Sequence, residues 1–193
     1  MPRHVFTAPQ ADLDVFAQID GPLVYLAGPI QGSVNWQAEA IDILGELAPD
    51  VHVASARGPD FRGGVERHLS WEQLFLERAA RDGVILFWCA RESTHRCNRT
   101  HAAQMRFELG EWVVKASVGL AKVTVGIERG FTGGPYLQRR FTLSYPNIPI
   151  CRTLRQTCAV AIETARRETP LVIYPRTLEE LFMPRSFVAK NNG

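Results

Sequence analysis

Glu108 lies in the stretch Met105-Arg-Phe-Glu-Leu-Gly-Glu-Trp112, a short way downstream of the apolar run Gly83-Val-Ile-Leu-Phe-Trp88. A carboxylate set among Phe107, Leu109 and Gly110 is costly unless something holds it or uses it. At the start of a helix it would be held, because acidic residues there interact favourably with unpaired N–H groups. Glu111 would then be its solvated neighbour. The same position favours the ionised form, and an ionised carboxylate can attack an anomeric carbon and hold the sugar as a covalent ester. Such chemistry wants a second carboxyl to orient the sugar or handle the proton on the departing group. In retaining glycosidases the two carboxyls lie roughly 5–5.5 Å apart. Glu72, on the predicted helix before the central strand, is the candidate partner.

The elements that must position these residues alternate. Leu23-Val-Tyr-Leu-Ala27 reads as a buried strand ending in the turn Gly28-Pro29. A helix follows, with Trp36, Ala40, Ile43, Leu44 and Leu47 at helical spacing and Ser33 or Asn35 as its N-cap. Val51–Ala54 is a second strand, and 55–64 is a loop. From Val65 to Arg81 the spacing predicts a helix with Leu69, Leu74, Leu76 and Ala79 inward and Glu72, Glu77 and Arg78 outward. Gly83–Trp88 is apolar throughout, as a central parallel strand should be. A polar loop, Ala90–Thr100, leads to the helix that carries Glu108 and runs to about Ser117. Lys122–Ile127 is a fourth strand, Gly130–Pro135 a glycine-rich loop, and Leu154–Arg167 a last amphipathic helix.

Alternating strands and helices define an α/β fold with a parallel sheet. Ligands of such sheets bind outside the carboxyl ends of the strands. The loop at Gly28-Pro29-Ile30-Gln31, the loops after Trp88 and Ile127, and the approach to Glu108 all belong to that edge.

With 193 residues, 46% of them apolar and 22% charged, the chain suits one globular domain over 1–193. An apolar, proline-broken extension begins at about Leu171. The net charge of +2 and a pI near 8.4 are too mild to imply a nucleic-acid polymer or an anionic membrane as partner. No apolar run is long enough to span a bilayer and the N-terminus has no signal-peptide core, so the expected location is the cytoplasm. Cys89, Cys97, Cys151 and Cys158 form no CxxC pair and would stay reduced there. His95, Cys97 and His101 sit in a polar, Arg-rich loop without a matching second ligand group, and read as exposed loop residues rather than a metal site. There is no P-loop or GxGxxG fingerprint, and no cofactor is expected.

Taken in order, Val24-Tyr-Leu-Ala-Gly-Pro-Ile30, Asn35-Trp-Gln-Ala-Glu-Ala40, Trp71-Glu72, Gly83–Trp88 and Arg106-Phe-Glu-Leu-Gly-Glu-Trp112 resemble the nucleoside 2-deoxyribosyltransferase-like superfamily. Its members include N-ribosyl hydrolases acting on nucleotides. The matching pieces span roughly the first two-thirds of the chain. The resemblance implies a flavodoxin-like (Rossmann-like) three-layer sandwich, a small-molecule nucleoside or nucleotide as substrate, and an N-glycosidic bond as the target. It makes Glu108 the nucleophile, Tyr25 the first-strand tyrosine beside it, and Glu72 the carboxylate that positions the sugar or assists the leaving base. Gly28, Pro29, Ile30 and Gln31 become a ligand-binding loop, and Trp71 or Trp88 could stack on the base. It also implies a homo-oligomer, because family members usually build the site at a subunit interface.

The glycosyl ester has two fates: a second base can take the sugar, giving a transferase, or water can, giving a hydrolase. A different class of function is a non-catalytic nucleotide-sensing module. That reading draws on the loop from Arg91 to Met105, which lacks the Asp or Ser that family members often carry before the nucleophile; His101, Ala102 and Ala103 stand there instead. A flavodoxin-like electron carrier fits less well, since no acidic, aromatic-flanked flavin loop is evident.

Overall fold

The computed structural model describes residues 1–8, 16, 19–58, 64–95 and 97–167. The extension expected from about Leu171 lies outside the described residues. Six strands form one sheet: β1 (His4–Thr7), β2 (Leu23–Ala27), β3 (His52–Ser55), β4 (Gly83–Cys89), β5 (Val123–Ile127) and β6 (Ile150–Cys151). Their order is β1-β3-β2-β4-β5-β6 and every pairing is parallel. Among the described residues five helices accompany them: α1 (Trp36–Leu47), α2 (Gly64–Asp82), α3 (Ala103–Ser117), α4 (Gly134–Ser144) and α5 (Leu154–Arg166). Without the edge strand β1, the order is the flavodoxin-like one.

Burial on both faces explains why β2 and β4 are apolar at every position. Along β2, Leu23, Tyr25 and Ala27 face a core layer built with Trp71 and Phe75 of α2 and Met105, Leu109 and Trp112 of α3. Val24 and Leu26 face the opposite layer, with Trp36 and Leu44 of α1 and Cys158 and Ala161 of α5. The result is a three-layer α/β sandwich. Gly83 opens β4 against Leu23, where an added Cβ would lie 1.9 Å from the Leu23 carbonyl oxygen. No described helix is long and apolar enough to cross a membrane.

The fold corrects several expectations. The sheet has six strands among the described residues, not four; β1 and the two-residue β6 are its edges. The glycine-rich segment from Gly130 turns into α4 at Gly134, with Gly133 in the left-handed region and Pro135 in the first turn, where its missing N–H is harmless. Asn35 is the N-cap of α1, its side chain accepting from the Ala38 N–H at 3.3 Å. In α2 the buried stripe runs through Trp71, Phe75, Leu76, Ala79 and Ala80. That phase turns Leu69 out, 52% exposed, and Glu72 in, 7% exposed, the reverse of what the spacing predicted. Arg78, also predicted outward, is half-buried and donates to the Ile19 carbonyl at 3.1 Å.

Candidate active site

β2 leads into α1 on one face of the sheet, and β4 leads into α3 on the other. Such a reversal opens a crevice at the carboxyl ends of the two strands. A cavity of about 500 Å³ lies there, walled by Tyr25, the loop Gly28–Gly32, and residues of α2 and α3. The loop is fixed from three sides. Trp36 Nε1 donates to the Pro29 carbonyl at 3.0 Å, and Arg57 Nη2 donates to the Ile30 carbonyl at 2.7 Å. The Gly32 carbonyl accepts from the Ser93 and Thr94 N–H groups at 2.7 and 3.2 Å. At Gly28 a Cβ would meet the Trp88 carbonyl oxygen at 2.5 Å and the Trp36 ring at 2.6 Å. Gly28→Ala is therefore expected to cost about 1–3 kcal/mol through overpacking. Thermal unfolding should show this as a Tm lowered by several degrees.

Glu72 of α2 and Glu108 of α3 meet at this cavity. They are joined by the side chain of Gln104, whose Nε2 donates to Glu72 Oε2 at 3.2 Å and to Glu108 Oε1 at 3.0 Å. An amide's two N–H bonds diverge by about 120°, so near-linear hydrogen bonds set the two oxygens on the order of 5 Å apart. The other oxygen of Glu72, Oε1, lies 3.6 Å from Nε2 of His68, one turn earlier in α2. The Tyr25 hydroxyl belongs to the same group electrostatically.

Burial is the largest influence on the titration of all three acids. It pushes Glu108 up to about 7, with the charges of Glu72 and Glu111 adding to the rise and the Gln104 hydrogen bond opposing it. Glu72 is raised by burial and lowered by Gln104. Tyr25 is raised well above an ordinary phenol, first by burial and then by the charges of Glu72 and Glu108, so it remains a neutral donor. Burial lowers His68 and favours its neutral form.

These facts correct the idea of a helix-start charge. α3 begins at Ala103 and carries no acid in its first turn; Glu108 sits in the second turn, half-buried. Burial rather than the helix end then governs its carboxyl, and the shift is upward, opposite to the direction expected.

Gly28, Pro29, Ile30 and Gln31 line the cavity along with Tyr25, Glu72 and Glu108. The two tryptophans do not. Trp71 is 3% exposed and stacks on Phe75 with ring centroids 4.4 Å apart, behind Tyr25. Trp88 points to the other face of the sheet, into the layer with α1 and α5. His101, expected to be an exposed loop residue, is half-buried at the cavity and lies 2.9 Å through Nε2 from the Ala90 carbonyl. Since a carbonyl only accepts, Nε2 carries the proton. Ala102, next to it, is in the left-handed conformation with φ 58°.

His68 and Gln104 were missed by sequence reasoning, although each stands four residues before a site carboxylate. Residues at that spacing share one helix face, and this was the signal available. Among the described residues no group of three or more His, Cys, Asp or Glu side chains could hold a metal ion. Neither protein-family models nor curated proteins give a match to this chain.

Proposed function

We propose that this protein cleaves or transfers the N-glycosidic bond of a nucleoside or nucleotide through a covalent glycosyl ester on Glu108. The observation that carries the reading is the meeting of two buried-side carboxylates, from different helices, on one bridging amide at the switch-point cavity. Their spacing suits a retaining pair better than the roughly 6.5–9.5 Å of an inverting one. Ionised Glu108 donates an electron pair to C1′ as the C1′–N bond breaks. The electrons of that bond pass to the base nitrogen, which takes a proton from Glu72. Water or a second base then attacks C1′, passing a proton to the Glu72 carboxylate, and the C1′–oxygen bond returns its electrons to Glu108. Neutral Tyr25 can donate a hydrogen bond beside the carboxylates without adding charge. The expected homo-oligomer would find an apolar face on α3, where Phe107 and Val114 are 77% and 55% exposed and lie seven residues apart.

The test incubates the protein with ribo- and deoxynucleosides and their monophosphates, with and without a second free base, and follows base release by chromatography. Release or exchange that is absent in Glu108→Ala supports the reading and separates hydrolase from transferase. Binding without turnover of any member of the panel would favour the sensing module instead.

A further inference from the structure

We infer that Gln104 is the positioning residue of this site: its single carboxamide locks Glu108 through Oε1, leaving Oε2 as the attacking oxygen, and ties Glu72 into the acid role. The inference rests on the glycosyl-transfer reading for its catalytic part and on geometry for the rest. Each carboxylate has two oxygens, and their partners differ. Glu72 has a neighbour at each oxygen, Oε2 accepting from Gln104 at 3.2 Å and Oε1 lying 3.6 Å from the His68 ring, beyond hydrogen-bond reach. Glu108 is engaged only at Oε1, by Gln104 at 3.0 Å; among the described residues no hydrogen bond reaches its Oε2. A nucleophile needs an oxygen free of competing donors, so the partner sets distinguish two otherwise equivalent carboxylates.

The amide does this without carrying charge. A lysine or arginine in its place would hold both carboxylates ionised and leave no acid for the departing base. A residue without N–H groups would let two like charges move apart. Gln104 can satisfy one oxygen of each and fix their separation while one of them keeps a proton. The groups facing the pair are His68 and Glu72 from α2, Glu111 from α3 and Tyr25 from β2. Arg99 is a permanent cation lining the same cavity, with Glu92 and His101 beside it, and the Gln104 hydrogen bond is the influence that favours ionised Glu108. Its position in the first turn of α3 on an exposed site means that its loss should leave the core undisturbed.

The experiment compares wild type with Gln104→Met, which keeps length but loses both N–H groups, and Gln104→Asn, which keeps the amide one methylene short. In Gln104→Met, kcat for base release is expected to fall on the order of 10²-fold, the scale of a misplaced reacting group, with KM changed less than about threefold. The acid limb of its pH profile should move upward, because the donor favouring ionised Glu108 is gone. A side chain that only supported the fold would leave that limb in place. The same shift is read without turnover by carbon NMR titration of the glutamate carboxyls in both variants. If wild type releases no base, the functional reading fails, while an upward shift of the Glu108 midpoint in Gln104→Met still upholds the bridge. An unchanged midpoint, or unchanged kcat with an unmoved acid limb, overturns the inference.

Discussion

The Glu108→Gln variant is expected to be more stable than wild type at pH 8 and no more stable near pH 4. Burial raises the Glu108 carboxyl from 4.5 to about 7 in the folded protein. A carboxyl whose folded value is raised contributes stability in full below its unfolded value and loses that contribution as pH rises through the folded value. Above about pH 7, folding must therefore hold a charge that the unfolded chain would keep in water. At about 1.36 kcal/mol per unit the full shift would be roughly 3 kcal/mol. Solvent around a half-buried group reduces this to about 1–2 kcal/mol, which in a chain of this size moves Tm by a few degrees. Calorimetry of both proteins at pH 8 and pH 4 reads the difference directly. Base release should meanwhile fall by at least about 10³-fold, since an amide oxygen is a poor nucleophile for C1′. Gain of stability with loss of activity is the signature of a carboxylate kept for use. A Tm that drops at pH 8 would mean that Glu108 stabilises the fold where it stands.

What the sequence made legible follows from burial. β2 and β4 are covered on both faces, so their apolar runs have no competing explanation, and the switch-point edge followed from the alternation of elements. β1 begins with exposed residues and β6 has only two, so neither leaves a periodic trace. Tyr25, Glu108 and the loop from Gly28 to Gln31 were found because they flank strong elements. Glu72 lines the cavity, although the spacing had put it on the outward face of its helix. Leu69 looked like part of the apolar stripe, and moving the phase toward Trp71 and Phe75 exchanges the two positions. The tryptophans failed for a related reason: a strand residue's face is set by parity, and Trp88 shares the parity of Val84 and Leu86, not that of Ile85 and Phe87. Gln104 and His68 become visible only when each helix is read backward by one turn from its carboxylate.

Glu72→Gln should divide substrates by the proton their leaving group needs. With its shape retained, the variant still accepts and donates hydrogen bonds, but it has no acid proton to give. A neutral purine or pyrimidine leaves C1′ as an anion unless protonated, so its release should slow by about 10²–10⁴-fold. A base already cationic, such as a 7-methylated purine, departs without protonation and should lose far less. The pH profile adds a second, independent reading. Wild type needs Glu108 ionised and Glu72 protonated, which gives a bell whose limbs belong to the pair. Removing Glu72 abolishes the alkaline limb. It also removes a negative charge that raises Glu108, so the Glu108 midpoint read by carbon NMR titration of the carboxyls should move to lower pH. Measuring kcat/KM against pH for one neutral and one cationic base tests both effects together. Equal losses for the two bases would make Glu72 a sugar-binding group, and the proton would then have to come from elsewhere in the cavity.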